Sequence, residues 1–186
     1  MPSDAERQLV VSLIKAAGKV SGRSHLHRMV YLMQMFGFDL GFTDFTLVDD
    51  FGPHSRDLAY HIQGLITEGL VKADRQEIGD DARGIPRYIQ ILTVEHKLPD
   101  EYASTVERVF SPSKSVREFW EHAKELADIE SAVLDMAALA VYLHDLHITE
   151  EAGTALVQRR SHKVTKEQMG EAQRLFNEWR AKHYFK

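Results

Sequence analysis

The sequence predicts a mainly α-helical fold with one small β-hairpin. Apolar residues recur at the three- and four-residue spacing of amphipathic helices along most of the 186 residues. The exception is a pair of runs, 70–78 and 85–94, in which Val, Ile, Leu and Tyr recur around a polar, glycine-containing segment at 79–84. Two extended runs around a polar turn are typical of a hairpin.

Three helices are expected before this hairpin. The first follows a capping box. In this motif the Ser side chain accepts a hydrogen bond from the amide of the third helical residue, and the Glu side chain of that residue accepts one from the Ser amide. The third follows a Gly-Pro step and begins at a serine, a preferred N-cap. The expected bounds are Ser3 to Gly18, residues 23–36, and Ser55 to near Gly69.

Three helices followed by a β-hairpin is the element order of a winged helix. We therefore expect a winged helix-turn-helix domain over residues 1–97. Its third helix takes the recognition position, and residues 79–84 form the tip of the wing.

After residue 97 the pattern is helical only. Two further capping boxes, at Ser115 to Glu118 and at Thr165 to Gln168, mark the starts of later helices. No long flexible linker separates the two parts, so we expect residues 98–186 to form a helical extension packed on the first domain.

Composition excludes several classes of protein. Apolar residues make up 44 % of the chain and charged residues 27 %, which is typical of soluble globular proteins. No apolar run approaches the roughly 20 residues that span a bilayer, and the N-terminus does not resemble a signal peptide, so we expect a cytosolic protein without a membrane partner. Because there is no cysteine, disulfides, thiolate metal sites and cysteine nucleophiles are excluded.

Three segments together resemble a known family. Arg28–Leu32 (RMVYL) is followed by Phe51–Leu58 (FGPHSRDL) and then by Leu65–Val71 (LITEGLV). In this order the chain resembles the Panacea domain of SocA-type antitoxins and the related YwgA-like proteins, over roughly residues 8 to 75. The resemblance implies a non-enzymatic module that binds a toxin or a regulatory protein, with winged-helix transcription control as a related possibility.

The meeting of the Gly-Pro step with the third helix suggests a surface for a protein partner. A winged helix can serve as a protein-docking surface, because a fold does not fix a function. The candidate partner-binding residues are Tyr31, His54, Arg56, Tyr60, His61 and Gln63.

DNA binding is the alternative hypothesis. Side chains that reach phosphates and base edges are expected in a groove-reading helix and its wing. The candidates here are Arg28, Arg56, Gln63, Arg75, Arg83 and Arg87. The net charge of −5, the acidic Asp57 and Glu68, and the lack of lysine from 55 to 69 disfavour this alternative, because duplex binding depends on neutralising phosphates.

No catalytic or metal site is predicted, and no cofactor. The histidine pairs His25/His27 and His144/His147 have ligand-like spacing, but neither has an evident third ligand. The spacing Arg-x4-His, which resembles the ribonuclease motif of the HEPN family, occurs twice, at Arg56 to His61 and at Arg117 to His122. Two occurrences argue for chance as much as for design, so a HEPN-like ribonuclease stays an alternative beside the interpretation as two ordinary amphipathic helices.

Overall fold

The chain is mainly helical with small antiparallel sheets, as expected. The computed structural model describes residues 4–48, 52–80, 83–98, 100–109, 114–148 and 164–185. Over this part of the chain the helices are α1 (Asp4–Ala17), α2 (Arg23–Met35), α3 (Arg56–Thr67), α4 (Asp100–Val109), α5 (Val116–Asp128), α6 (Ser131–Asp145) and α7 (Lys166–Ala181). The strands are β1 (Val20–Ser21), β2 (Thr46–Val48), β3 (Gly52–His54), β4 (Lys72–Asp80) and β5 (Pro86–Thr93).

The expected hairpin is confirmed as β4 and β5. The two strands pair antiparallel, with Ala73 opposite Leu92 and Glu77 opposite Tyr88, and the register shifts between Glu77 and Asp80. The short β1 joins the free edge of β5, so this sheet has the order β1-β5-β4. Beyond its base the hairpin is a two-stranded ribbon whose side chains are mostly exposed.

A second small sheet, which the sequence did not predict as a pair, precedes α3. Strand β2 pairs antiparallel with β3, and Leu47 lies opposite Pro53. This pairing holds the Gly-Pro step in a strand before the third helix begins.

Helix α2 lies at the centre of the molecule. Every residue from His25 to Met33 is buried, because α5, α6 and β3 pack around this helix. An apolar helix can be buried on all sides without cost, but α2 also carries His25, His27 and Arg28. Buried polar groups are stable only with partners, so the surroundings of these three residues determine the local architecture.

The helical extension shares the core of the N-terminal part. Helices α4 and α5 pack against α1, and α6 packs against both α2 and α7. Apolar side chains of both parts, including Leu13, Phe119 and Trp179, belong to one buried cluster. The division at residue 97 stays a prediction.

Two of the three predicted capping boxes are confirmed. The Ser115 hydroxyl accepts from the Glu118 amide at 3.1 Å, and the Thr165 hydroxyl accepts from the Gln168 amide at 3.2 Å, with the reciprocal bond present in each. The box expected at Ser3 begins outside the described residues. In the described part of the chain, no helix combines the length and the apolar composition needed to cross a bilayer.

Candidate functional site

The start of α3 is built by the segment singled out in the sequence. Gly52 has φ of 61°, a conformation that favours glycine, and Pro53 follows it in β3. Ser55 then caps the helix, because its hydroxyl accepts from the Leu58 amide at 2.9 Å. The predicted N-cap is therefore confirmed, and α3 leaves the second sheet in one fixed direction.

A second cap comes from Asp44, which the sequence analysis missed. Its Oδ2 accepts from the amides of Arg56 and Asp57 at 2.8 and 3.1 Å. Burial acts to raise the pKa of this carboxyl, but the hydrogen-bond donors at the start of α3 outweigh burial and lower it. Because Asp44 lies more than ten residues before the helix, no local pattern identifies it as a cap.

Removing the serine cap is expected to weaken the fold modestly. We expect Ser55→Ala to lower the free energy of unfolding by about 1 to 2 kcal/mol, because the Leu58 amide loses its acceptor. Urea denaturation measures this loss. Ser115→Ala, which removes the same kind of cap from α5, is the matched control and should cost a similar amount. An unchanged urea midpoint for Ser55→Ala would contradict the role given to this hydroxyl.

One face of α3 is open to solvent. Leu58, Ile62 and Leu65 anchor the opposite face in the core. Tyr60 is 71 % exposed and has the largest exposed fraction among the large hydrophobic side chains of the described residues. The other exposed side chains along α3 are Arg56, Asp57, Gln63 and Thr67.

Tyr31 does not belong to this exposed face, and its placement at a partner-binding surface is corrected. Only 5 % of it is exposed, because α2 is covered on all sides. Its ring lies 5.2 Å from that of Phe45 and 5.7 Å from that of Tyr142. Burial, together with the nearby Asp145 carboxylate, raises the pKa of the Tyr31 phenol above its ordinary value.

His61 is also buried, and its expected exposure is corrected in the same way. It is 3 % exposed, on the core-facing side of α3, with its ring 5.3 Å from that of Phe42. Its Nε2 lies 3.6 Å from a carboxylate oxygen of Glu6. Burial lowers the pKa of His61, although the Glu6 carboxylate acts in the opposite direction.

His54 lies half-buried at the edge of α3 and connects the exposed face to the interior. Its ring stacks on that of His27, with centroids 4.0 Å apart and planes inclined by 14°. The Ser55 amide donates to Nδ1 of His27 at 3.2 Å, so this nitrogen carries no proton in the bond. Burial, assisted by the charge of Arg28, lowers the pKa of both histidines, and that of His27 falls to about 3.

Arg28 is an internal ion-pair partner, so its proposed contact with nucleic acid is corrected. The residue is 5 % exposed, and its Nε and Nη2 donate to one oxygen of Asp135 at 3.0 and 2.8 Å. This pair joins α2 to α6. The same guanidinium lowers the pKa of His25, His27 and His54, in each case after burial as the larger cause.

The remaining candidates for nucleic-acid contact lie on α3 and on the β4–β5 hairpin. Arg56 and Gln63 are exposed on α3. On the hairpin, the Arg75 guanidinium stacks 3.6 Å above the Tyr88 ring, and Arg83 and Arg87 are exposed.

The histidine pairs are used for packing and hydrogen bonding. Both ring nitrogens of His25 are engaged, by Ser131 Oγ at 3.0 Å and by the Leu126 carbonyl at 3.1 Å. The His144 ring packs against those of Phe176 and Phe185. His147 Nδ1 lies 3.2 Å from the His144 carbonyl. Across the described residues, no group of three or more His, Cys, Asp or Glu could hold a metal ion.

Neither Arg-x4-His spacing brings its two side chains into one site. Arg56 is exposed, whereas His61 faces the core. Arg117 pairs with Glu121 at the surface, whereas the His122 ring contacts the aromatic ring of Tyr184 at 5.3 Å.

Comparison with known proteins returns no match: no protein-family model fits the chain, and no curated protein and no solved structure is significantly similar to it.

Proposed function

We propose that this chain is a non-enzymatic binding module that docks a partner protein through the α3 face, defined as Arg56, Tyr60 and Gln63 with His54 at its edge. The observation that carries the proposal is the exposure of Tyr60 on a helix held firmly at its start and along its inner side. Tyr and Arg are enriched at the energetic centres of protein interfaces. A rigid platform also reduces the entropy lost on binding.

The charges along α3 favour a protein partner over a nucleic acid. Arg56 is next to Asp57, and Glu68 just beyond the helix pairs with Arg7. Asp57 therefore offsets the single positive charge of the face, whereas affinity for a phosphate backbone needs an excess of positive charge. A neutral surface with one aromatic and one basic side chain suits a mixed polar and apolar protein interface.

The architecture supports a winged-helix module. Three N-terminal helices precede the hairpin, and the strand order β1-β5-β4 places the short strand after α1 beside the hairpin. Together with the resemblance of residues 8 to 75 to SocA-type antitoxins, this order supports an antitoxin-like role in the cytoplasm, with a toxin or a regulatory protein as the partner.

The proposal is tested by isolating the tagged full-length chain from its native cell. We expect one discrete polypeptide to co-purify with the unmodified chain and its recovery to fall at least about tenfold with the double change Arg56→Ala and Tyr60→Ala, because truncation of two interface anchors costs several kcal/mol. The matched control is Arg117→Ala with Tyr88→Ala, which removes the same residue types from other exposed sites.

Two results would contradict the proposal. Equal loss of the polypeptide with both double variants would show that the α3 face is not the contact. Recovery of a defined DNA fragment, with affinity falling steeply as salt rises, would replace protein docking with the DNA-binding alternative.

A further inference from the structure

Strand β4 forms an open edge of the larger sheet. The strand order is β1-β5-β4, so one side of β4 pairs with β5 and the other side has no strand in the described part of the chain. Every residue from Asp74 to Asp80 is exposed. The backbone amides and carbonyls of such an edge can pair with a strand of another molecule.

The charges along β4 determine which strand fits this edge. Charged side chains normally prevent edge-to-edge pairing, because a strand that pairs with its own copy brings like charges together. Strand β4 carries charges of both signs, and its middle residue is the uncharged Gln76. When two copies pair antiparallel about Gln76, Arg75 of each copy lies directly opposite Glu77 of the other.

Other symmetric registers are unfavourable. Residues that lie opposite each other in an antiparallel pair direct their backbone groups in the same sense, either both towards the partner strand or both away from it. Two copies of one strand therefore pair symmetrically only about a residue that lies opposite its own copy. Pairing about Asp74, Arg75 or Glu77 would place two like charges directly opposite each other, which is destabilising. Pairing about Gln76 avoids this and gives the largest overlap of the two strands.

Arg75 remains able to form an ion pair although it already contacts an aromatic ring. Its guanidinium carbon lies 3.6 Å from the centroid of the Tyr88 ring of the same chain. A guanidinium that stacks through its face keeps its N–H donors, which lie in its plane, available for a carboxylate. Because Arg75 and Glu77 are two residues apart, their side chains lie on the same face of the sheet.

The same pairing brings the tip of each hairpin to the base of the other. The register of β4 against β5 is regular up to Glu77 and shifts beyond it, so the centre of the pairing lies in the regular part. Just past this part, Ile78 is 49 % exposed. Pairing moves Ile78 of one copy towards the base of the other, which reduces its exposed apolar surface. At this base is a cavity of about 290 Å³, whose lining includes the apolar Ile66, Leu70 and Ala73 and the polar Lys72, Glu95 and His96.

We propose that two copies of this chain associate through their β4 edges, antiparallel about Gln76. The product is one continuous sheet with the order β1-β5-β4-β4-β5-β1, in which each Arg75 pairs with Glu77 of the other copy. Few residues take part, so the association is weak, with a Kd of about 10 to 100 µM. The α3 face lies outside this contact, so the proposal does not depend on the docking function.

Charge reversal tests the pairing. Sedimentation equilibrium at about 1 to 300 µM measures the Kd of the full-length chain and of two variants, Arg75→Glu and Glu77→Arg. We expect each variant alone to associate at least about tenfold more weakly, because like charges then lie opposite each other. An equimolar mixture of the two variants should associate about as tightly as the unmodified chain, because every charge in the pair then faces its opposite. The control is Arg87→Glu, at an exposed arginine on β5, which should keep the Kd within about threefold.

The lack of cysteine in the chain allows a second, independent test. Residues opposite each other in an antiparallel pair have Cα atoms about 4.5 to 5.5 Å apart, which is within the range of a disulfide. We expect Gln76→Cys to form a disulfide-linked dimer under mild oxidation at least about tenfold faster than Gln90→Cys. Gln90 is exposed on β5, and its two copies would lie about 14 Å apart across the joined sheet.

Any of four outcomes would overturn the proposal. The first two are a monomer at every concentration up to about 300 µM, and a Kd that neither charge reversal changes, since association would then use another surface. The others are no association in the mixture of the two charge variants when circular dichroism shows both to be folded, and equal crosslinking of Gln76→Cys and Gln90→Cys.

Discussion

Acidification from pH 7.5 to 4.5 is expected to lower the free energy of unfolding by roughly 3 kcal/mol, mainly through His27. Its pKa is about 3 in the folded chain against an ordinary 6.5, because burial and then the charges of His54 and Arg28 disfavour the imidazolium, while Asp44 opposes them. At acidic pH the unfolded chain therefore binds a proton at His27 that the folded chain does not bind. The contribution of neutral His27 to the free energy of unfolding is complete above pH 6.5 and is lost as the pH falls from there towards 3.

Other histidines add to the same trend. Burial is the first cause that lowers the pKa of His25, His54 and His61, so protonation of each also favours the unfolded chain. A carboxyl group adds to this pH dependence only where folding shifts its pKa, and a lowered carboxyl pKa acts mainly below pH 4.5, so the histidines dominate this interval.

Urea denaturation at pH 7.5 and 4.5 measures the effect, and His27→Asn isolates its main source. The Asn carbonyl offers an acceptor for the Ser55 amide but does not titrate. We expect the difference in free energy of unfolding between pH 7.5 and 4.5 to be roughly 2 to 3 kcal/mol smaller in this variant than in the unmodified chain. The control is His96→Asn at an exposed position, which should leave this difference unchanged. Equal pH dependence in His27→Asn and the unmodified chain would contradict the assignment.

Loss of Asp135 is expected to destabilise the fold by about 3 kcal/mol, because it leaves the buried Arg28 guanidinium without its carboxylate. Asp135→Leu is the test. The double change Arg28→Met and Asp135→Leu should recover much of the loss, because apolar side chains of similar size can replace a buried pair. The measurement is the urea midpoint of the four proteins in a double-mutant cycle.

The cycle has a clear contradictory result. If the double variant loses the sum of the two single losses, the pair does not couple α2 to α6. The pH dependence gives a second readout, because removing Arg28 also removes one cause of the lowered pKa of His27.

Local signals explain what the sequence could predict. The caps at Ser55, Ser115 and Thr165 are patterns of four residues, so their hydrogen bonds depend little on the rest of the chain. The hairpin is equally local, since its two strands are separated by a short polar turn. These features follow from short stretches and are therefore readable without coordinates.

Contacts between distant segments explain what the sequence could not predict. The second cap on α3 comes from Asp44, the Arg28 carboxylate comes from Asp135 in α6, and the His27 ring stacks on His54. Helical periodicity indicates which face of a helix is apolar, but it does not show that α2 is covered on every side. For this reason the sequence indicates Tyr31 as a partner-binding residue, although it lies in the core.

The buried polar groups explain why the Gly-Pro segment has a structural role. The His54 ring stacks on His27, and the Ser55 amide donates to the same histidine, so β3 and the start of α3 are fixed to α2. Arg28 then connects α2 to α6. These contacts hold the α3 face on α2, which has more buried residues than any other helix in the described part of the chain, and this supports its use as a rigid platform.

Site-specific photocrosslinking in the native cell tests the central claim most directly. A benzophenone side chain replaces Tyr60 on the α3 face in one sample, and replaces the exposed Tyr88 or Arg117 in the others. If a partner protein docks on the α3 face, a covalent adduct with one defined polypeptide forms at position 60, and that polypeptide forms none at 88 or 117. Adducts of equal yield at all three positions, or an adduct with DNA at position 60, would contradict it.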